Sequence, residues 1–528
     1  MTVSTAARRR LRPPYDTSPA VYRVMRCVVA LLTGLLYRYE VDGADNVPPC
    51  GPIIIAVNHL HLLDPFAVAA RINRQIVTLA KSDWRSNLLI GGFLKLAGAI
   101  FVKRGEVDRD ALRSCLDVLK RGKALAIGGD GGEGPAVWIV LDNCSATADL
   151  TAELAARLKQ RAGVRPERCV VASTHDHSAP LLPEFAPWHY TKAMPPEHLA
   201  RMDRYRRQLA DRLEKVALEA LAARQPGFLS WSQGAVNFGS NRRRLENGKW
   251  VGFVRGDANE SPGPVDPGLP VLRVTDLKGR PVGVVANYAC HCTTTSGSFN
   301  AIHGDWAGYA QKAIESDHPE LVAMVTIGCG ADVGPYPNGT LELAQQYGRE
   351  IAGEVDRLLQ GEWKPVSPKL AARQETIRVP LGKLPTREEL ERQAGNDRGH
   401  LGARDVARHF LAILDRDGAL PQSFDYPITT WTFGDDLAMV FLPGEVTIDY
   451  ALRLKREWDG SRLWVTAYAN GMPCYISSKR LLDEGGYEVD SSMVSYGQPA
   501  RLAPEAEDTI IRAVGALIPP PFGGKAPR

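Results

Sequence analysis

The feature that most constrains this chain is a series of short apolar runs, each ending in polar residues beside glycine or proline. Such runs lead into His59, His175, His291 and Glu445. Apolar runs of about four to eight residues bounded by turn residues are typical of buried strands. In α/β sheets ligands bind beyond the carboxyl ends of the strands, so polar residues at these positions can converge. The pattern predicts an α/β fold with its functional side chains at strand ends.

The composition is that of an ordinary globular protein. Of the 528 residues, 44% are apolar and 23% are charged, which excludes a disordered or collagen-like chain. The 64 basic and 60 acidic residues give a net charge of +4, too even for an electrostatic footprint on nucleic acid, so no nucleic-acid partner is expected. Nine cysteines without a Cys-x-x-Cys pair predict reduced thiols rather than a disulfide scaffold.

The N-terminus combines a basic arm with a short apolar segment. Residues 1–20 contain four arginines between positions 8 and 12 and are typical of a disordered arm. The apolar stretch at residues 24–37 is shorter than the ~20 residues that a spanning helix needs. It predicts either a helix lying on a membrane surface over residues 22–38, or a core-facing helix of the first domain. The first alternative favours a peripheral membrane protein on the cytoplasmic side, with export as the alternative.

The first strand-end motif follows the apolar run at residues 52–57. Asn58 and His59 come directly after it, and Asp64 follows five positions after His59. A carboxylate can orient one imidazole nitrogen while the other removes a proton from a hydroxyl. The alternative is that Asp64 caps the next helix. A later apolar run ends in Arg104, and an arginine at a strand end is well placed to bind phosphate.

These residues resemble the glycerolipid (1-acylglycerol-3-phosphate) acyltransferase family over about residues 20–127. The resemblance implies that His59 deprotonates the acceptor hydroxyl and that Asp64 orients the imidazole. It also implies that Arg104 and Asn58 take part in substrate binding. The family's next block, Pro-Glu-Gly-Thr-Arg, is replaced here by glycine-rich sequence. We therefore expect a truncated acyltransferase-like segment.

The second part of the chain carries more polar residues at strand ends. A short strand leads into His175 and His177, a His-x-His pattern that either presents imidazoles to a metal or belongs to a solvated loop. Later apolar runs lead into His291 and Glu445, and another precedes Tyr475. The alternatives are that Glu445 caps a helix and that Tyr475 is a core aromatic residue.

This order of motifs resembles the neutral/alkaline (non-lysosomal) ceramidase family from about residue 130 to 518. The motifs that carry the resemblance are His175 to Pro180, Asn241-Arg242, Asn287 to His291, Gly304 to Ala310, Pro443 to Glu445, Ala469 to Tyr475 and Tyr487-Glu488. The resemblance implies one zinc ion held by two histidines, one glutamate and one tyrosine. Carried over by position, the zinc ligands are His175, His291, Glu445 and Tyr475, and the residues that bind and polarise the amide carbonyl are His177, Arg242 and Tyr487.

The resemblance implies a zinc-dependent amidohydrolase that cleaves the amide of an N-acyl sphingoid lipid or a related amide with metal-activated water. Two imidazoles and a carboxylate are common protein ligands of hydrolytic zinc. Gly334 stands where some family members have a serine, and activity would be lost if that serine were the nucleophile. Two alternatives are an acyltransferase that uses His59 and Asp64, and a non-catalytic fusion in which neither site is complete.

The predicted architecture is α/β, with a mixed-sheet metal hydrolase domain, a partial α/β acyltransferase-like N-terminal segment and a smaller C-terminal β-rich part. The predicted boundaries are 1–20 for the basic arm, 21–127 for the truncated acyltransferase-like segment, 128–518 for the hydrolase domain and 519–528 for the tail. The expected partners are a lipid or amide substrate and a membrane surface. The sequence leaves the oligomeric state open.

Overall fold

Two units make up the computed structural model, residues 1–134 and 135–528, and each is described by itself. The structure describes residues 17–36, 46–59, 70–87, 90–102, 109–130, 134–188, 194–251, 263–295, 299–396 and 402–523. Within these ranges no helix is both long enough and apolar enough to cross a lipid bilayer.

The first unit contains a parallel four-stranded sheet. Its strands are β1 (Ile53–His59), β2 (Ile76–Lys81), β3 (Ile100–Val102) and β4 (Ala124–Asp130), in the order β1-β4-β2-β3. Its helices are α1 (Pro19–Leu36), α2 (Ile90–Leu96) and α3 (Arg109–Lys120). Val77 and Leu125 of the sheet pack with Val118 of α3 in a buried cluster. Because β1 and β4 are parallel and in register, His59 lies opposite Asp130 at the carboxyl edge of the sheet.

The second unit contains the remaining elements. Its strands are β5 (Val137–Leu141), β6 (Cys169–Ser173), β7 (Gly227–Ala235), β8 (Gly239–Asn241), β9 (Arg244–Glu246), β10 (Lys249–Val251), β11 (Gly268–Asp276), β12 (Pro281–Tyr288), β13 (Val322–Ile327), β14 (Val333–Pro335), β15 (Lys364–Val366), β16 (Leu370–Pro380), β17 (Ser423–Phe433), β18 (Leu437–Phe441), β19 (Glu445–Val446), β20 (Leu463–Thr466) and β21 (Tyr475–Ile476). Its helices are α4 (Ala148–Ala162), α5 (Pro196–Ala222), α6 (Asp305–Asp317), α7 (Leu341–Leu359), α8 (Arg387–Ala394), α9 (Ala403–Asp417), α10 (Ile448–Glu457), α11 (Lys479–Glu484), α12 (Ser492–Ser495) and α13 (Ala506–Leu517).

Two mixed sheets form the centre of the second unit. The first has the strand order β13-β12-β11-β7-β15, with β12 and β13 parallel and the other pairs antiparallel. The second has the order β16-β17-β18-β20, with only β18 and β20 parallel. The pairs β5/β6 and β19/β21 are also parallel. The presence of parallel and antiparallel strands with helices between them confirms the predicted α/β fold with mixed sheets.

Backbone hydrogen bonds join the carboxyl ends of strands from different sheets. The amide of Ser173, at the end of β6, donates to the carbonyl of Tyr468 over 3.0 Å, and the amide of Ala467 donates to Ile327 of β13 over 2.9 Å. The amide of Ala331 donates to the carbonyl of Val446 over 3.1 Å. The amide of His291, in the loop after β12, donates to the carbonyl of Val333 over 3.0 Å. Together these bonds bring the loops after β6, β12, β13, β18 and β20 to one place.

Candidate metal centre

Three buried side chains of metal-ligand type meet at these strand ends. His175 follows β6, His291 follows β12, and Glu445 is the first residue of β19. The Nε2 atom of His175 lies 3.2 Å from Oε2 of Glu445, and Nε2 of His291 lies 3.1 Å from the same oxygen. None of the three side chains is more than 4% exposed. One carboxylate oxygen therefore faces two imidazoles inside the protein.

The other nitrogen of each ring donates to a backbone carbonyl. His175 Nδ1 lies 2.7 Å from the carbonyl oxygen of Cys144, and His291 Nδ1 lies 2.7 Å from that of Gly330. A carbonyl oxygen can only accept, so each Nδ1 carries the hydrogen and each Nε2 of a neutral ring is an acceptor. Metal-ligating histidines are commonly oriented in this way by a carbonyl group.

The imidazole Nε2 atoms and the Glu445 oxygen carry lone pairs that face one another, so they need a positive charge between them. Burial, followed by the positive charge of Arg242, lowers the pKa of His291 to about 4, so its Nε2 carries no proton at neutral pH. Burial also disfavours the charged form of His175, but Cys144 and Glu445 outweigh burial and raise the pKa of His175. Even when His175 Nε2 carries a proton, His291 Nε2 and the carboxylate oxygen that faces it can both only accept a hydrogen bond. Two imidazole nitrogens and a carboxylate oxygen fit a divalent cation such as zinc.

Tyr475 lies beside this group because of strand register. Glu445 and Tyr475 are partners in the parallel pair β19/β21. Partners in a parallel ladder project to the same face of the sheet. The two strands approach each other closely at Gly444. A Cβ atom at this position would lie only 2.7 Å from the carbonyl oxygen of Cys474, and the φ of +84° also favours glycine. The tyrosine predicted as a ligand is thus next to the predicted carboxylate.

Arg242 also contacts Tyr475. Its Nη2 donates to the Tyr475 hydroxyl over 2.9 Å, and its Nε donates to Glu488 Oε1 over 3.1 Å. The guanidinium also lies 5.9 Å from the ring centre of Tyr475 and 5.9 Å from that of Tyr487. Both Arg242 and Glu488 are buried. The predicted residues Arg242 and Tyr487 are therefore part of the same polar group.

His177 lies on the accessible side of the centre. Its Nε2 atom is 3.1 Å from Nε2 of His175, while its side chain is exposed. Residues 175 and 177 are two positions apart in the chain, and their ring centres lie 4.7 Å from each other. With Cys144 and His175 it forms a second group of ligand-type atoms that lie close together.

Three residues of this centre have unusual backbone conformations. His175, Tyr468 and Asn470 have φ values of 53°, 54° and 61°. The Tyr468 ring stacks on that of His175 with centroids 4.5 Å apart, and Asn470 Oδ1 accepts from the amide of Val171 over 2.9 Å. Such conformations cost about 1–3 kcal/mol each for residues other than glycine and are found mainly at functional sites. Here they aim the His175 ring and its stacking partner.

Three further residues of the centre had no role assigned to them from the sequence. The hydroxyl of Tyr496 donates to Oε1 of Glu445. Glu488 accepts from Arg242, and buried Asp332 accepts from Asn241 and from the amide of Ile448. Glu488 was visible in the Tyr-Glu motif and Asp332 follows an apolar run, but Tyr496 has no strand-end signal.

The predicted acyltransferase residues are only partly within the described structure. Asn58 and His59 are the last two residues of β1. Asp64 and Arg104 lie outside the described residues. The roles of these four residues remain predictions.

Comparisons with known proteins match both parts of the chain. Residues 38–133 match the family model described as Acyltransferase. The structure of neutral ceramidase from Pseudomonas aeruginosa is similar with a TM-score of 0.51 and 18% sequence identity, over 74% of this chain and 68% of that chain. A structure described as ceramidase complexed with C2 is similar with a TM-score of 0.52 and 16% identity, over 74% of this chain and 69% of that chain. No curated protein matches the sequence significantly.

These matches confirm the two resemblances expected from the sequence. At this level of identity the similarity to the ceramidase structures establishes a shared fold. The Acyltransferase match establishes the kind of domain at the front of the chain.

Proposed function

We propose that residues 135–528 form a zinc-dependent hydrolase that cleaves the amide bond of an N-acyl sphingoid lipid or a related N-acyl lipid. The proposal depends chiefly on the meeting of His175 and His291 with Glu445, where two imidazole nitrogens lie about 3 Å from one carboxylate oxygen in a buried site. The fold shared with ceramidase structures supports an amide as the substrate. His175, His291 and Glu445 would hold the metal, with Tyr475 as the fourth ligand.

A zinc ion bound by these residues would act as a Lewis acid that activates water and polarises a carbonyl group. Arg242 would stabilise the negative charge that develops on the amide oxygen. Glu488 and the Tyr475 hydroxyl fix its guanidinium group, so no reorientation is needed during the reaction. Tyr487, whose ring centre lies 5.9 Å from the same guanidinium, would contribute a hydroxyl group to binding of the carbonyl.

His177 is suited to proton transfer. The amine product must receive a proton before it leaves, and an imidazole can accept a proton and pass it on. The exposed position of His177 gives it access to solvent and substrate, and its Nε2 lies 3.1 Å from a proposed metal ligand. We assign Nε2 of His177 the transfer of a proton to the leaving amine.

The test compares metal content and amide hydrolysis in the full chain. The metal is measured by mass spectrometry after purification without added metal, and hydrolysis is followed with a fluorescent N-acylsphingosine. We expect about one zinc per chain and loss of both zinc and activity in His175→Ala and Glu445→Gln. His198→Ala, a change on the exposed surface of α5, is the matched control.

Two results would contradict the proposal. One is a wild-type protein without zinc that gains no hydrolysis when zinc is added. The other is hydrolysis that persists in His175→Ala at the wild-type rate. His177→Ala separates the roles, because we expect it to keep its zinc and to lose about 10²-fold in kcat.

The first unit supports a second proposal, a separate acyltransferase activity. The Acyltransferase match and the position of His59 at the carboxyl end of β1 favour it. His59 would remove the proton of an acceptor hydroxyl while the acyl group is supplied by a thioester. We expect acyl-CoA-dependent acylation of a glycerol phosphate that is lost in His59→Ala and kept in His175→Ala. Absence of acylation by the wild-type chain would contradict this second proposal.

A further inference from the structure

Helix α1 packs against the first unit with one face. The Tyr22 side chain is buried, and its hydroxyl accepts from the amide of Ile76 over 3.2 Å. Arg26 donates to the carbonyl of Ile72 over 3.1 Å and to the side chain of Asn73 over 2.8 Å. The position of the helix is therefore fixed by hydrogen bonds as well as by burial. This face therefore matches the core-facing helix, one of the two alternatives that the sequence left open.

The opposite face of α1 is apolar and exposed. It consists of Val21, Val24, Val28 and Leu31, spaced three and four residues apart, and is called the outer face here. Val24 is 65% exposed and Leu31 is 64% exposed. Ten residues of helix separate the first and last of these side chains, which makes the outer face about 15 Å long. A continuous apolar stripe of this kind is typical of a binding surface, whereas single exposed apolar residues are ordinary.

The sequence that includes α1 is rich in positive charge. Residues 1–36 contain six arginines and one acidic residue, Asp16. Arg23 is exposed on α1 itself. Two copies of the chain that met through this face would bring two such arginine-rich segments together, and like charges oppose that arrangement. Anionic lipid headgroups instead offer the complementary charge, next to an apolar layer for the valines and the leucine.

We propose that the outer face of α1 binds the surface of an anionic lipid bilayer. The helix lies parallel to the membrane, because the stripe runs along its length and its other face is bound to the first unit. The apolar side chains enter the boundary between headgroups and acyl chains, and Arg23, which is exposed on α1, contacts the headgroups. This binding is independent of the hydrolase activity proposed above.

The experiment measures sedimentation of the full chain with lipid vesicles. We expect binding to vesicles of phosphatidylglycerol and phosphatidylcholine, weak binding to phosphatidylcholine alone, and a decrease when salt is raised. Val24→Glu and Leu31→Glu should each reduce binding about tenfold or more, because each places a charge where an apolar side chain is buried. Val322→Glu is the matched control, since Val322 is an apolar residue of β13 that is 62% exposed.

Two outcomes would overturn the proposal. In one, wild type does not bind anionic vesicles, or Val24→Glu and Leu31→Glu bind as wild type does. In the other, analytical ultracentrifugation shows a dimer that Val24→Glu dissociates, which would make a second copy the occupant. Circular dichroism of both variants checks that they fold, and their exposed positions make an effect on folding small.

Discussion

The hydroxyl of Tyr496 donates a hydrogen bond to one oxygen of Glu445, while the other oxygen of that carboxylate faces the two imidazoles. This bond fixes which oxygen is available to a metal. Its partners are 51 positions apart in the chain. Groups that orient a ligand in this way commonly contribute a factor of about 10–100 to metal affinity.

We therefore predict that Tyr496→Phe weakens zinc binding about 10–100-fold. The phenyl ring keeps the packing against Phe185, whose ring centre lies 5.8 Å away, so the variant should remain folded. Competition with a coloured chelator measures the affinity. Tyr347→Phe is the control, because that hydroxyl donates to the carbonyl of Pro337 instead. Equal zinc affinity in Tyr496→Phe and wild type would show that the bond does not orient the ligand.

Metal removal should destabilise the second unit. Without a cation, His291 Nε2 faces Glu445 Oε2 as one acceptor against another at 3.1 Å. A ligand at 100 times its Kd stabilises the folded state by about 2.7 kcal/mol, so chelation should lower Tm and zinc should restore it. Differential scanning calorimetry checks this. His291→Ala should show no response to either treatment, and a chelator effect in that variant would point to a different metal site.

Arg242→Lys should separate catalysis from metal binding. Lysine keeps the positive charge but cannot contact Glu488 and Tyr475 at once with a planar group. We expect an unchanged zinc content and a fall in kcat of about 10²-fold with a smaller change in KM. Arg244→Lys in β9 is the control. A loss of zinc in Arg242→Lys would mean that the arginine acts by supporting Tyr475.

Gly334→Ser tests whether the serine of some relatives matters here. A Cβ atom at Gly334 would have Thr293 Oγ1 as its nearest neighbour, 3.9 Å away, so a small side chain fits without a clash. If a serine hydroxyl is not the nucleophile that attacks the amide carbonyl, kcat should change by less than about tenfold. Hydrolysis that appears only in Gly334→Ser, and not in wild type, would assign the nucleophile to that serine.

We predict that Asp332 makes a pH-dependent contribution to the free energy of unfolding. Burial raises its pKa to about 6 from an unfolded value near 3.8, although the amide of Ile448 partly opposes the shift. Between pH 3.8 and about pH 6 the folded state therefore binds more protons than the unfolded state. The contribution of Asp332 to the free energy of unfolding consequently falls as the pH rises through that range. A shift of about two pKa units corresponds to roughly 3 kcal/mol.

The test of this effect is urea denaturation of Asp332→Asn and wild type from about pH 4 to pH 7. The free energy of unfolding of the variant, relative to wild type, should increase by roughly 3 kcal/mol across that range. Asp425→Asn, at a side chain that is 68% exposed, should show no such trend. A constant difference between Asp332→Asn and wild type would mean that Asp332 does not titrate in this range.

The sequence by itself determined the α/β fold and the strand ends that carry chemistry. His175, His291 and Glu445 were visible because each follows a short apolar run, and such runs are a local property of the chain. The two family resemblances also rested on local motifs.

Only the tertiary structure decided which groups orient these side chains. The carbonyls of Cys144 and Gly330 hold the two imidazoles, and Tyr496 holds Glu445. The packed and exposed faces of α1 were likewise decided by its contact with Ile72 and Ile76. Each of these contacts joins residues far apart in the chain, and no local pattern encodes them, because they form only where packed strands and loops bring the two partners within hydrogen-bonding distance.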